Sequence, residues 1–371
     1  MHTATVARTR RGLVVRTYVF PGQGSQKKTM GGALFDEFES LTRTADSILG
    51  YSIKELCLED PDNRLSRTEF TQPALYVVNA LSYYKKLQES ERPDFLAGHS
   101  LGEFNALLSS ECFGFETGLR LVRKRGELMA RAQAGAMAAV LNASPQEIRT
   151  ILDDNGLTSI DLANFNSASQ VVISGPPDDI KAAKPLFQSG NHLFAPLNTS
   201  GAFHSRYMEP ARQEFTRFLD TVTFSPQKIP VISNVTARPY EDHRAKELLA
   251  EQLTSAVRWS ESVQHLLGLG EMEFEELGHG NVLTKLINKI RREAPQPPQR
   301  TTAARPPLPA AELVRQWNER NPVGTRVRST IGEYRDLRTA TPATVLFGHR
   351  AAVYMIGYRG YFDLTEIETV N

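Results

Sequence analysis

The segment Gly98-His99-Ser100-Leu101-Gly102 limits what this chain can fold into more than any other stretch. It is a G-x-S-x-G string, preceded by Asp94-Phe95-Leu96-Ala97 and followed by a helix-compatible stretch over residues 103–108. A serine held on a sharp strand-to-helix turn needs glycine on both sides, because side chains there would strike the backbone. Such a turn lifts the hydroxyl out of a sheet and sets it at a helix N-terminus, where free N–H groups favour developing negative charge. An ordinary turn could carry the same five residues, so the string acquires meaning only from the rest of the chain.

The surroundings read as alternating strands and helices. Residues 13–20 form a buried strand that runs straight into Pro21-Gly22-Gln23-Gly24-Ser25-Gln26. Lys27 stands where a dinucleotide fingerprint needs its third glycine, so that reading is excluded. A glycine-rich turn after a strand still exposes backbone N–H groups that could help hold an oxyanion. Residues 72–87 are expected to form a long amphipathic helix ahead of the elbow strand, and the alternation predicts a mostly parallel sheet with helices on its faces.

The rhythm changes over residues 135–200. Strands are expected at 135–141, 159–164, 170–174 and 192–197. Ser144-Pro145-Gln146-Glu147 is a capping box that opens a helix running to about residue 155. A second helix is expected over 178–187 in spite of Pro185. The order β-α-β-β-α-β is that of a ferredoxin-like subdomain, inserted into a larger α/β domain that resumes near residue 201. Residues 294–310 hold six prolines, from Pro295 to Pro309, and read as an extended linker. Beyond it, a helix around 312–317 leads into four strand-like runs, at 325–330, 344–347, 351–356 and 360–364. They predict a small β-rich module, read as a barrel.

Composition excludes several classes. A net charge of +1 and 40% hydrophobic residues nominate neither nucleic acid nor a membrane surface as partner. The last 61 residues carry eight arginines, no lysine and seven acids, so the module adds no basic patch. Two cysteines, Cys57 and Cys112, do not make a disulfide framework and fit a reducing, cytoplasmic compartment. No run reaches transmembrane length. The extreme N-terminus is basic (Arg8, Arg10, Arg11, Arg16) and reads as a disordered leader.

A serine nucleophile needs a base, and the chain has eight histidines. His2 is in the leader and His349 in the module. His99 is expected to point away from the serine and shape the turn, while His192, His243 and His265 have no special flanks. His204, in Gly201-Ala202-Phe203-His204-Ser205, and His279, in Gly278-His279-Gly280, remain, and spacing does not choose between them. A serine hydrolase of the α/β type places its histidine late, which favours His279. Arg125 is the other unusual residue. On the helix read over 119–132 it follows the line Leu121–Arg125–Leu128–Ala132, the face meant for burial. A buried arginine needs a partner, so it belongs either to an internal salt bridge or to a carboxylate ligand clamped by two parallel hydrogen bonds.

Several motifs in order match one pattern. They are Val19-Phe20-Pro21-Gly22-Gln23-Gly24-Ser25-Gln26, Ala97-Gly98-His99-Ser100-Leu101-Gly102-Glu103, Arg125-Gly126, Asn164-Phe165-Asn166-Ser167 with Gln170-Val171-Val172-Ile173-Ser174-Gly175, and Gly201-Ala202-Phe203-His204-Ser205. From about Tyr18 to Arg292 the chain resembles malonyl-CoA:acyl carrier protein transacylases. Residues 58–65 and 201–208 look like the free-standing acyltransferases of trans-acyltransferase polyketide synthases.

The resemblance implies an α/β-hydrolase-like core over 17–134 and 201–293 with the ferredoxin-like insert at 135–200. The leader at 1–16, the linker at 294–310 and the module at 311–371 lie outside it. It implies His204 as the partner of Ser100, Arg125 as holder of the malonyl carboxylate, and backbone N–H groups of Gln23 and Leu101 as the oxyanion hole. Gln252 would orient the histidine through a carbonyl, so that a dyad replaces a triad. Asn164 and Asn166 are candidate cleft residues. Phe203 before His204 accompanies malonyl, where serine accompanies methylmalonyl.

Malonyl-CoA is then the substrate, with no metal and no permanently bound cofactor. The partner is a phosphopantetheinylated acyl carrier protein, on polyketide synthase modules or in fatty-acid synthesis. An acyl hydrolase that clears stalled carrier proteins is the competing activity, against which Arg125 argues; the resemblance assigns the C-terminal module no role, and docking to synthase components is the alternative for it. Thr29 and His279 depart from the family pattern, where glycine and proline are common.

Overall fold

The computed structural model describes residues 15–132, 135–188, 190–294, 309–330, 336–348, 350–358 and 360–370. The chain divides into two compact units, with Val15–Ala294 as the larger and the described residues from 309 onward in the smaller. In the larger unit the strands are β1 (Val15–Phe20), β2 (Phe95–Gly98), β3 (Ala136–Leu141), β4 (Asp161–Ser167), β5 (Gln170–Gly175), β6 (Leu193–Pro196), β7 (Val231–Ile232) and β8 (Met272–Glu276).

The first sheet has the order β7-β2-β1-β8, and every pairing in it is parallel. β1 lies in its middle, which explains the unbroken buried run Thr17-Tyr18-Val19-Phe20: a parallel strand covered on both faces carries no polar alternation. The helix Thr68–Glu89 packs beside it and extends further at both ends than the apolar pattern of 72–87 indicated. Strand β8 has no counterpart in the sequence reading, because Met-Glu-Phe-Glu-Glu at a sheet edge keeps its acids exposed or half-buried and lacks an apolar run. Strand β7 is only two residues long.

The second sheet has the order β4-β5-β3-β6, all antiparallel, with the helices Pro145–Asp154 and Pro177–Ala183 as its two crossovers. The capping box at Ser144 and Glu147 is formed in both directions. The expected single helix over 178–187 is corrected: the α-helix ends at Ala183 and a 3-10 turn covers Lys184–Phe187. Pro185 has no N–H to give to the ladder, and its ring opposes the preceding turn. Main-chain bonds from Phe165 N to the Val257 carbonyl and from Val257 N to the Ala163 carbonyl, each 2.9 Å, tie β4 to the segment that follows Gln252. That junction carries Asn164 to the mouth of the elbow.

Residues 1–14 of the expected leader lie outside the described residues, and its last two, Val15 and Arg16, already belong to β1. Of the expected linker, 295–308 lies outside them too, while Ala294 caps the helix Val282–Glu293 and Ala310 opens the helix Ala310–Arg320. The smaller unit has β9 (Arg326–Ser329), β10 (Leu337–Arg338), β11 (Thr344–Leu346), β12 (Arg350–Tyr354), β13 (Tyr361–Asp363) and β14 (Ile367–Thr369). They pair as two three-stranded antiparallel sheets, β10-β9-β14 and β11-β12-β13. Val327, Leu337, Val353, Met355 and Ile367 form its core, with Val314 and Trp317 of the helix packed against it. No helix among the described residues is long and apolar enough to cross a membrane, and both cysteines are buried and free.

Candidate active site

The end of β2 turns directly into the helix Gly102–Ser109, and Ser100 sits in that turn at φ +52°. A left-handed serine is strained, and it persists because its neighbours allow no other path. A Cβ at Gly98 would lie 2.0 Å from the Gly102 main chain, and one at Gly102 would lie 2.0 Å from the Phe20 carbonyl oxygen. Asn234, just past β7, pins the turn from below. Its Oδ1 accepts from Ser100 N at 2.7 Å and its Nδ2 donates to the Gly98 carbonyl at 2.7 Å.

The geometry selects His204 over His279. His204 Nε2 is 2.7 Å from Ser100 Oγ, and its Nδ1 donates to the main-chain carbonyl of Gln252 at 2.9 Å. With Nδ1 committed as a donor, Nε2 carries the lone pair and accepts the serine proton. Burial, reinforced by the charge of Arg125, holds the His204 imidazole down at about 3, so the ring is a neutral base at physiological pH. His279 belongs to a half-exposed turn and is not part of the cleft. The His99 ring is not among the hydrogen-bond partners of Ser100 Oγ, which are His204 and Arg125. Its Nε2 meets Asn166 Oδ1 at 2.8 Å, and its ring lies against Trp259 while also lining the cleft. Besides its place in the turn, His99 forms part of the cleft wall.

Arg125 is 1% exposed on the helix Phe115–Arg131. Of the two alternatives left by the sequence, the internal salt bridge is absent among the described residues. Its guanidinium is held by neutral groups instead. Nη1 donates to Gln72 Oε1 at 2.8 Å, and Nη2 donates to Gln252 Oε1 at 2.8 Å and to Ser100 Oγ at 3.1 Å. Phe104 lies beneath it, 5.6 Å from ring centroid to guanidinium carbon. Burial lowers its pKa to about 10, so it stays charged. A buried cation beside the nucleophile, with no carboxylate bonded to it among the described residues, is able to pair with one.

The cleft over these groups is lined by Gln23, His99, Ser100, Leu101, Arg125, Met129, Met137, Asn164, Leu197, Thr199, Phe203 and His204. The main-chain N–H groups of Gln23 and Leu101 make no hydrogen bond to another described residue, and the Gln23 side chain is tethered to Thr68 Oγ1 at 3.3 Å. Arg125 Nε, Asn164 Oδ1 and Thr199 Oγ1 are buried polar atoms without a partner. Asn166 faces His99 and is not itself a lining residue. Sequence reasoning missed Gln72, Asn234, Thr199 and the two cleft methionines. Only Gln72 carried a signal, as a polar side chain inside the helix stretch expected to be buried.

Comparison with known proteins finds relatives over most of the chain. The model of the acyl transferase domain family matches residues 17–303. The polyketide biosynthesis malonyl CoA-acyl carrier protein transacylase PksC of Bacillus subtilis is 55% identical over 286 residues, 76% of this chain and 99% of that protein. The crystal structure of malonyl CoA-acyl carrier protein transacylase from Burkholderia pseudomallei is 56% identical. It superposes with a TM-score of 0.76 over 76% of this chain and 100% of that one. A type II polyketide synthase acyl-carrier protein in complex with its malonyl-transacylase matches at 30% identity and TM-score 0.71, over 75% and 93% of the two chains. The chain belongs to the acyl transferase domain family and, within it, to the malonyl CoA-acyl carrier protein transacylases.

Proposed function

We propose that the chain moves malonyl groups from malonyl-CoA to the phosphopantetheine thiol of an acyl carrier protein, through an ester on Ser100, in the service of a polyketide synthase. Ser100 Oγ attacks the thioester carbonyl while His204 Nε2 takes its proton. The carbon becomes tetrahedral, and the N–H groups of Gln23 and Leu101 hold its oxyanion. The C–S bond breaks, CoA leaves as the thiol with the proton from His204, and malonyl remains on the serine. The carrier thiol then attacks that ester as His204 takes the thiol proton, and Ser100 recovers its hydroxyl.

The observation that carries this reading is the Arg125 guanidinium, within hydrogen-bond reach of Ser100 Oγ and without a carboxylate partner among the described residues. A diacid half-ester satisfies it, whereas a neutral acyl group leaves a buried charge unpaired. Phe203 closes the same wall and fits the malonyl reading, and Asn164 with its free Oδ1 offers a further polar contact. Asn166 contributes by fixing His99. Gln252 orients His204 through its main-chain carbonyl, so no acidic third member is required. The relative solved with its carrier protein supports an acyl carrier protein as acceptor, and the polyketide relatives support that pathway class.

The first sheet with its helices supports an α/β-hydrolase-like core over 17–134 and 201–293. The strand order of the second supports a ferredoxin-like insert at 135–200. The smaller unit, over 311–371, is assigned to docking on synthase components. A cytoplasmic location, with malonyl-CoA as the only small molecule needed, fits two free cysteines.

The test is the intact mass of the acyl-enzyme after exposure to a mixture of malonyl-CoA and acetyl-CoA. Malonyl on Ser100, passed to carrier protein rather than released as malonate, is expected. Arg125→Ala is expected to lower the malonyl-over-acetyl ratio by about a hundredfold, the worth of a lost charge-assisted pair. An unchanged ratio would remove Arg125 from its role.

A further inference from the structure

Behind the elbow lies a carboxylate that the reaction just described does not use. Glu103, in the first turn of the helix Gly102–Ser109, is fully buried. All of its hydrogen-bond partners are donors. Oε1 accepts from Tyr240 Oη at 2.6 Å and from Asn234 N at 2.8 Å, and Oε2 accepts from Gln252 Nε2. Each of the last two leads to the site. Asn234 pins Ser100 N and the Gly98 carbonyl. Gln252 gives its main-chain carbonyl to His204, its Oε1 to Arg125 and a second Nε2 bond to the Ser100 carbonyl at 3.0 Å.

An ionised carboxylate only accepts hydrogen bonds, and a glutamine amide presents an oxygen at one end and N–H groups at the other. With Glu103 as an acceptor, the Gln252 amide has one satisfactory orientation, NH₂ toward Glu103 and Oε1 toward Arg125. Direct contact between Glu103 and Arg125 would fill the guanidinium with an internal partner. Burial raises the Glu103 pKa to about 7, and the bonds from Tyr240, Asn234 and Gln252 and the charge of Arg125 oppose that rise. In its ionised form the carboxylate, with an amide between them, offsets the buried cation without a direct ion pair.

We propose that Glu103 is a positioning residue for substrate selection: through the Gln252 amide it holds Arg125 oriented and free of a direct carboxylate partner, ready for the carboxylate of the incoming acyl group. The inference rests on the reading of Arg125 as the malonyl receptor. Glu103→Gln removes the charge and keeps the shape. Its single oxygen satisfies Tyr240 and Asn234, which turns its NH₂ group toward Gln252. The Gln252 amide then rotates to offer its oxygen and presents N–H groups to Arg125, which loses a hydrogen bond and gains a facing donor.

The experiment measures kcat/KM for loading Ser100 from malonyl-CoA and from acetyl-CoA in the full chain, for wild type, Glu103→Gln, Gln252→Leu and the double variant. Gln252→Leu removes the relay and retains the main-chain carbonyl that anchors His204. Each single variant is expected to lower the malonyl-over-acetyl ratio at least about tenfold, through KM for malonyl-CoA more than through kcat. The double variant is expected to lose no more than the worse single one, because both act on one path. A parallel fall for both substrates, with the ratio within about twofold of wild type, would leave Glu103 a purely structural residue and overturn the proposal. If Glu103→Gln does not fold, the ratio measured for Gln252→Leu decides in its place. Arg125→Ala in the same assay separates the two ideas. If it keeps the malonyl preference, the receptor reading itself fails. If it loses the preference while the relay variants keep it, only the role of Glu103 fails.

Discussion

At the scale of single residues, the site is a set of buried polar groups whose protonation states are fixed by what surrounds them. His204 is the clearest case. Its folded pKa of about 3 lies below the ordinary 6.5, so the unfolded chain binds this proton more readily than the native one. The stability that goes with the neutral ring is complete above about pH 6.5 and is lost progressively as pH falls toward about 3, on the order of 5 kcal/mol in all. Replacing His204 with glutamine, which cannot charge, is expected to flatten the fall of Tm between about pH 7.5 and about pH 5 relative to wild type. Equal slopes for the two proteins would refute the assignment. Legibility also divides at this scale. Ser100 and its flanking glycines were readable because a nucleophile elbow tolerates few residues, and Arg125 because a cation on an apolar stripe is conspicuous. Asn234 was not readable as a site residue, since a buried hydrogen-bond partner far along the chain leaves no local pattern, and Glu103 was not because its own partners, Asn234, Tyr240 and Gln252, lie that far away.

At the scale of elements, the strand-to-helix junction is where packing decides function. Gly102→Ala places a methyl group 2.0 Å from the Phe20 carbonyl oxygen, so β1 and the helix Gly102–Ser109 must separate or the turn must open. The variant is expected to lose acyl-enzyme formation and about 3 kcal/mol or more of stability, seen as a shifted denaturant midpoint. Ser144→Ala is a contrasting change. It removes the capping-box hydroxyl of the helix Pro145–Asp154, far from the chemistry. It is expected to cost about 1 kcal/mol with the malonyl-over-acetyl ratio unchanged. A changed ratio would mean that the insert communicates with Arg125. The capping box, the long helix and the four strands of the insert were legible because each has a periodic or positional signature. β7 and β8 were not: one is too short for a period, and the other keeps its acids at a sheet edge.

At the scale of the whole molecule, relatives that this chain covers over 99% and 100% of their lengths align with only 76% of it. The region they share holds Ser100, His204, Arg125, Gln252 and Glu103. A chain ending at Ala294 is therefore expected to load malonyl on Ser100 within about threefold of the full-length rate, read by intact mass over time. A large loss would assign part of the catalytic support to the C-terminal unit. Carrier-protein affinity measured on the same two chains tests the docking assignment, which predicts weaker binding for the shorter one. The sequence marked this division by its proline content and the end of its family pattern, whereas the pairing of two short sheets beyond it exceeds what strands of two to five residues disclose.

The hydrogen bond that orients His204 comes from the main chain of Gln252 and not from its side chain. No point substitution at that position deletes it. On the proposed reading of Arg125, mutational drift at position 252 is expected to erode the recognition of a diacid and to leave the proton-transfer machinery in place. A lineage could pass from a charged acyl group to a neutral one by way of active intermediates, and a directed search for altered acyl specificity has an open path there.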